Sequence, residues 1–96
     1  IMHIRVTRYK MKPEAVDAAT AMLHEMKAQI MGLPGMKQFI NSINSDGSGC
    51  VISMVESREV SESNEAAVQS IWAQYKDHLL AIPEAEGFDV IVDWSN

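Results

Sequence analysis

The chain has 96 residues, of which 47% are hydrophobic, and it carries a formal net charge of −5. This length predicts a single domain that spans residues 1–96, and the apolar content excludes intrinsic disorder. The negative charge argues against a nucleic-acid-binding protein, because such proteins need a basic surface. No apolar stretch approaches the ~20 residues of a membrane span, and the lone Cys50 excludes an internal disulfide. We therefore expect a cytoplasmic protein that binds neither nucleic acid nor membrane.

The first predicted element is a strand over residues 2–10, in which apolar and polar side chains alternate. One face carries Met2, Ile4 and Val6, and the other carries His3, Arg5, Thr7 and Tyr9. We expect the second of these faces either to line a polar pocket wall or to meet a partner chain. A helix over residues 13–31 follows, because Pro13 suits a first helical turn and apolar residues then recur at helical spacing. Gly32 and Pro34 end it.

The middle of the chain predicts a β-hairpin. Two runs of strand-forming residues flank a loop over residues 44–49, which contains the turn dipeptides Asp46-Gly47 and Ser48-Gly49. A second helix is predicted over residues 62–81 and ends before Pro83. Its candidate N-caps are Ser57, Ser61 and Ser63, and its apolar stripe is Val68, Ile71, Trp72, Tyr75, Leu79 and Ile82. The last predicted element is a strand over residues 88–94.

The order strand–helix–strand, repeated once, is typical of the α+β class and of the ferredoxin-like βαββαβ fold with a four-stranded antiparallel sheet. In that topology the first and last strands are antiparallel neighbours. We therefore interpret the basic residues near the start of the chain as cross-strand partners of the acidic residues near its end, and not as an anion site. The basic set is Arg5, Arg8, Lys10 and Lys12, and the acidic set is Glu84, Glu86, Asp89 and Asp93.

A sheet with both helices on one face leaves its other face bare. The hairpin strands and the last strand have apolar residues on both sides, including Val90 and Ile91. A bare apolar face marks an interface. We therefore predict a homodimer in which two sheets pack face to face and close an α/β barrel.

Four short stretches resemble the dimeric α/β-barrel proteins, and within them the antibiotic-biosynthesis-monooxygenase-like group. They are Arg8-Tyr9-Lys10-Met11-Lys12-Pro13, Leu33-Pro34-Gly35-Met36, Asp46-Gly47-Ser48-Gly49 and Val55-Glu56-Ser57. The resemblance implies the barrel fold and the dimer. The group that the chain resembles includes cofactor-independent monooxygenases that act on aromatic polyketides or quinols, and it also includes haem-degrading enzymes. The haem-degrading enzymes rely on an Asn in the first strand, whereas this chain has no Asn before Asn41. The quinol-oxygenase-like members usually have Trp before Glu-Ser, whereas this chain has Val55 there. No catalytic residues of the group can therefore be assigned to positions of this chain.

The candidate site residues come from the second helix and the first strand. His78 is the candidate general base, and the alternative is a boundary histidine near a helix C-terminus. Trp72 and Tyr75 are expected to form an aromatic wall for a planar molecule, or else to be core residues. Tyr9, Thr7 and Arg5 are the remaining candidate substrate-binding residues. The three His have no metal-ligand spacing, so neither a metal nor another cofactor is expected.

Two functions fit these residues. The first is the binding of an apolar or aromatic small molecule in a cavity between helix and sheet, without catalysis. The seven Met agree with it, because Met side chains adapt to varied ligands, although a plastic core would explain them as well. The alternative is a cofactor-independent monooxygenase that acts on a quinol or polyphenol.

Overall fold

The computed structural model describes residues 1–96, and its architecture is a four-stranded antiparallel sheet with helices packed on one face. The strands are β1 (His3–Lys10), β2 (Met36–Ile43), β3 (Ser48–Val55) and β4 (Glu84–Asp89). The helices are α1 (Val16–Glu25), α2 (Lys27–Met31), α3 (Arg58–Ser63) and α4 (Glu65–Ala73), and 3₁₀ turns form at Pro13–Ala15 and Lys76–His78. This order confirms the predicted ferredoxin-like fold. None of the helices has the length and hydropathy needed to cross a membrane.

The strand order is β2-β3-β1-β4, so β1 lies in the interior of the sheet with a partner on each side. It pairs with β3 from His3↔Val55 to Lys10↔Ser48 and with β4 from His3↔Asp89 onwards, both antiparallel. The predicted pairing of the first and last strands is therefore confirmed. Because directly opposite residues share a face, the register assigns every strand side chain either to the helices or to the open face.

The helix-side face of β1 is the one with the polar residues. His3, Thr7 and Tyr9 are buried, whereas Ile4 and Val6 lie on the open face and are only partly covered. Polar side chains are tolerated beneath the helices where hydrogen bonds satisfy them. His3 and Tyr9 both have such a partner within the chain.

The first helical segment is less regular than predicted. Residues 13–31 form a 3₁₀ turn, then α1, then α2, with a break at Met26, whose φ and ψ are −91° and 3°. Met26 is buried at the break, and Ile30 is buried one turn later. Tertiary packing therefore overrides the local helical preference at this position.

The second helical segment begins earlier and ends earlier than the predicted 62–81. Of the three candidate caps, Ser57 is the one used, and its Oγ accepts a hydrogen bond of 3.1 Å from the N–H of Val60. A break follows at Asn64, whose buried Nδ2 donates to the carbonyl of Pro34 over 2.8 Å. α4 ends at Ala73, well before Pro83, since the chain beyond the second 3₁₀ turn pairs with the end of β1 instead.

The prediction of the fourth strand over residues 88–94 was wrong. The strand is Glu84–Asp89, and its last hydrogen bond joins the N–H of Val90 to the carbonyl of Met2. Residues 91–96 lie outside the sheet and are exposed. The alternation of apolar residues there reflects an exposed segment and not a ladder.

One ionic cluster joins the ends of β1 and β4 to α3. The carboxylate of Asp89 lies 2.9 Å from His3 Nδ1 and 3.3 Å from Arg58 Nη2. His3 is only 4% exposed, and a side chain at Gly87 would collide with its ring. The predicted cross-strand charge pairing was wrong, because none of the four basic residues near the start of the chain forms an ion pair. Arg8 lies opposite Glu84 in the register without an ion pair between them, and Asp89 pairs with His3 and Arg58 instead.

We expect Asp89→Asn to change how stability depends on pH. The hydrogen bond from His3, followed by that from Arg58, lowers the pKa of Asp89 below its usual 3.8. A carboxyl with a lowered pKa contributes stability above 3.8, and that contribution is lost as the pH falls through the lowered pKa. Urea unfolding should therefore show the variant less stable than wild type at pH 7, with the difference shrinking below about pH 4.

The exposed Asp93 provides the matched control, because it lies beyond β4 and forms no ion pair. Asp93→Asn should differ little from wild type in its free energy of unfolding, both at pH 7 and at pH 3. If Asp89→Asn lowers the free energy of unfolding by the same amount at pH 7 and at pH 3, the assignment of the ionic cluster is contradicted.

Candidate functional site

A cavity of ≈ 510 Å³ lies between the helices and the helix-side face of the sheet. It is lined by 22 residues, of which 15 are hydrophobic, and most of them come from β1, β2, β3, α1, α2 and α4. Its volume is in the range of small-molecule sites in proteins, ~300–1,000 Å³.

The structure brings together five of the six residues that the sequence pointed to. The predicted substrate-binding residues all line the cavity: Arg5, Thr7, Tyr9, Trp72 and Tyr75. They come from two distant parts of the chain, β1 and the segment from α4 to the second 3₁₀ turn, and the ring of Tyr9 meets that of Trp72 between them. The alternative reading of the β1 side chains as partner-chain contacts does not fit, since their face lies beneath the helices.

His78 is the sixth, and it is not part of the cavity lining. It lies half-buried at the end of the 3₁₀ turn Lys76–His78, and its carbonyl accepts a hydrogen bond from the N–H of Lys12 over 2.9 Å. This position corresponds to the boundary histidine that the sequence left open as an alternative. The reason is that the helix ends at Ala73, so the helical spacing that would align His78 with Trp72 and Tyr75 is interrupted.

Three aromatic rings form one wall of the cavity. The ring centroids of Tyr9 and Trp72 are 5.5 Å apart, and those of Trp72 and Tyr75 are 6.2 Å apart, with tilted interplanar angles of 54° and 60°. These separations are typical of favourable aromatic pairs. A side chain at Gly49 would collide with the ring of Tyr9, so the glycine leaves room for this arrangement.

Tyr9 and Tyr75 differ in how their hydroxyl groups are satisfied. The hydroxyl of Tyr9 donates a hydrogen bond of 2.6 Å to Asn41 Oδ1 across the sheet. The hydroxyl of Tyr75 is buried and has no hydrogen-bond partner. Burial is the main cause that raises the pKa of both phenols, so both remain protonated donors at neutral pH.

Arg5 adds a second buried donor without a partner. Its Nε is buried and makes no hydrogen bond, and none of the ion pairs of the chain includes its guanidinium. Buried polar groups are almost always hydrogen-bonded in folded proteins. The two unsatisfied donors, Arg5 Nε and Tyr75 Oη, therefore mark the cavity as a place where a ligand with acceptor atoms would gain hydrogen bonds.

Several lining residues were not identified from the sequence. Phe39, Asn41 and Ile43 of β2 all face the cavity, and they alternate along the strand. That period-2 spacing was a usable signal, but only the register shows which of the two faces of β2 lies beneath the helices. Leu23, His24 and Lys27 contribute from α1 and α2, and the last two are exposed at the rim. Three of the seven Met line the cavity as well: Met11, Met31 and Met36.

Replacing the two phenols one at a time should have opposite effects on the free energy of unfolding. Tyr9→Phe removes the bond to Asn41 and should cost about 1 kcal/mol. Tyr75→Phe removes a buried hydroxyl that has no partner, so the ligand-free protein should keep or gain stability. Guanidinium chloride unfolding of both variants measures this, with each serving as the other's control. A larger loss in Tyr75→Phe than in Tyr9→Phe would contradict the hydrogen-bond assignment.

Solved structures with the same fold are known, although their sequences are only distantly similar to this chain. No protein-family profile and no curated protein sequence matches the chain. Among solved structures, a Nitrosomonas europaea protein of unknown function superposes with a TM-score of 0.81 at 11% identity, covering 99% of this chain and 94% of that one. Candidate antibiotic biosynthesis monooxygenases from Bordetella bronchiseptica and Caulobacter crescentus both superpose with TM-scores of 0.78, at 9% and 14% identity. The superposition covers 95% of this chain and 98% of the Bordetella bronchiseptica chain. It covers 95% of this chain and 91% of the Caulobacter crescentus chain. The chain therefore has the ferredoxin-like fold of structures named as antibiotic biosynthesis monooxygenases, which confirms at the level of the fold the resemblance seen in its sequence.

Proposed function

We propose that the protein binds an apolar or aromatic small molecule in the cavity between its helices and its sheet. The observation that carries the proposal is the buried, unpartnered hydroxyl of Tyr75 on the wall of a mostly apolar cavity of ≈ 510 Å³. A core that served packing alone would gain stability from Phe at this position. The hydroxyl is explained if an acceptor atom of a bound molecule completes it.

The apolar part of the lining supports the same proposal. Fifteen of the 22 lining residues are hydrophobic, and the aromatic wall offers flat surfaces for a planar ring. The Met residues add a deformable part of the lining, because the thioether side chain is flexible and polarizable. The cavity thus combines shape-adaptable contacts with a small number of directional ones.

Oxygenation of a quinol or polyphenol without a cofactor is the second candidate function. It is favoured by the names of the Bordetella bronchiseptica and Caulobacter crescentus structures, which are those of antibiotic biosynthesis monooxygenases. A protonated Tyr75 in an apolar cavity would suit the binding of a quinol oxygen. His78 gives this candidate no support as a general base, because it lies outside the cavity lining.

We further infer that a second copy of the chain covers the open face of the sheet. Exposed apolar residues continue across that face from β2 to β4, and the segment after β4 extends them: Ile40, Ile52, Phe88, Ile91 and Val92. Trp94 is 89% exposed in the isolated chain. The same face also carries Arg8 and Glu84 side by side, so two identical faces can meet without a net repulsion.

A neutral fluorescent probe tests the small-molecule proposal. N-Phenyl-1-naphthylamine brightens in apolar surroundings and should bind saturably, with the protein melting at higher temperature as probe is added. Leu23→Trp places bulk in the cavity lining from a half-buried position of α1, so it should abolish or strongly weaken binding. Fluorescence titration measures the dissociation constant.

Ala21→Trp is the matched control, since Ala21 lies on the same helix, is exposed and is absent from the lining. It should bind the probe as wild type does. Equal binding by both variants would place the probe elsewhere and contradict the proposal. Oxygen uptake with a naphthoquinol that is lost in Leu23→Trp and kept in Ala21→Trp would favour the monooxygenase.

The interface on the open face is tested by sedimentation velocity. Wild type should sediment as a dimer at micromolar concentration, and Ile52→Asp should sediment as a monomer, because a charge buried between two sheets is costly. Ile82→Asp is the control, since Ile82 is 90% exposed and lies outside the sheet. A monomeric wild type would contradict the inferred dimer.

A further inference from the structure

The cavity contains a one-sided set of charges. Its ionisable lining residues other than the two phenols are Arg5, Lys27 and His24, and none of the 13 Asp and Glu residues of the chain is among them. The chain as a whole nevertheless has a formal net charge of −5. All the acidic groups therefore lie away from the cavity. A concave site with low-dielectric walls and one sign of charge concentrates ligands of the opposite sign.

Arg5 combines a charge that has no ion pair with a side-chain nitrogen that is buried without a partner. On β1 it lies between Ser53 of β3 and Gly87 of β4, and neither neighbour has a carboxylate. Its guanidinium forms no ion pair, and its Nε is buried without an acceptor. An N–H group buried without an acceptor is costly. An anion in the cavity would give the Nε an acceptor and pair with the charge, and the free energy recovered would appear as affinity.

Burial of the Nε distinguishes Arg5 from Arg8, which also forms no ion pair. Arg8 lies on the same strand but on the opposite face, where it is exposed to solvent and stands across from Glu84. The basic residues near the start of the chain are thus divided by the alternation of β1. Arg5 alone among them lines the cavity.

Tyr75 supplies a second donor to the same cavity. Its side chain is 7% exposed, and its hydroxyl has no partner. Burial, followed by the nearby Tyr9, raises the pKa of this phenol, so it offers a proton at neutral pH and carries no competing negative charge. The Nε–H of Arg5 can only donate and the hydroxyl of Tyr75 can donate, so the acceptor atoms of one ligand would satisfy both.

We propose that the natural ligand of the cavity is an organic anion, an aromatic or otherwise apolar molecule with an acidic group that Arg5 binds while Tyr75 donates to one of its oxygen atoms. This inference rests on the proposed function and narrows it to one chemical class. The charged group pairs with the guanidinium, and the rest of the molecule lies against the aromatic wall. Carboxylates and sulfonates both fit, since guanidinium binds either through paired oxygens.

Two dyes that share one ring system test the charge preference. N-Phenyl-1-naphthylamine is neutral, and 1-anilinonaphthalene-8-sulfonate is the same skeleton with a sulfonate. Wild type should bind the sulfonate about tenfold more tightly, as one charge-assisted hydrogen bond provides. Arg5→Gln should remove this preference by weakening the sulfonate about tenfold, with little change for the neutral dye. Fluorescence titration gives all the dissociation constants in one format.

Arg8→Gln is the matched control, because it removes the same charge from the same strand on the other face. It should keep the preference for the sulfonate. Tyr75→Phe should weaken the sulfonate severalfold while leaving the ligand-free protein at least as stable as wild type.

Equal affinities of wild type for the two dyes would overturn the anion assignment and leave the small-molecule proposal standing. The anion assignment would also be overturned if Arg5→Gln and Arg8→Gln weakened the binding of the sulfonate dye to the same extent, because the effect would then reflect net charge. If Leu23→Trp leaves the binding of both dyes unchanged, the dyes do not enter the cavity, and both this inference and the proposed function fail.

Discussion

The interior position of β1 is the constraint on which the rest of the structure depends. Hydrogen bonds on both edges hold this strand between β3 and β4, so its side chains must alternate strictly between two faces. Arg5, Thr7 and Tyr9 consequently lie beneath the helices, where the cavity forms. Arg8 is held on the opposite face by the same geometry. A shift of β1 by one residue would exchange the two sets and dismantle the site.

Tyr9 connects this strand to the rest of the cavity. Its hydroxyl bonds Asn41 on β2, its ring contacts Trp72 on α4, and Gly49 on β3 leaves the space it occupies. Large rings held at the edges of a cavity leave its centre open. Ten hydrophobic residues are buried, yet none of them is less than 2% exposed, as expected for side chains that border an open space. The molecule has a core that surrounds a space instead of filling it.

The unsatisfied donors of Arg5 and Tyr75 lower the stability of the ligand-free protein. Groups of this kind persist at functional sites, where the free energy lost on folding is recovered when a ligand binds. The ionic cluster of His3, Asp89 and Arg58 at one end of the sheet shows the contrast. There the buried polar group has its partner within the chain, and a structural role is sufficient to explain it.

The sequence alone predicted the fold, and it named five residues that the structure places in the cavity lining. Period-2 alternation in the first strand, helical spacing around Trp72 and Tyr75, and glycine-rich turns are local signals, and local signals depend only on neighbouring residues. The helix breaks at Met26 and Asn64 were not predictable, because burial and a bond to Pro34 cause them. The tertiary structure alone decided which face of β1 lies beneath the helices, and with it that the Nε of Arg5 is buried in a cavity that no acidic side chain lines. It also decided that His78 lies outside the cavity and that β4 ends at Asp89, since pairing requires a partner strand that no local pattern describes.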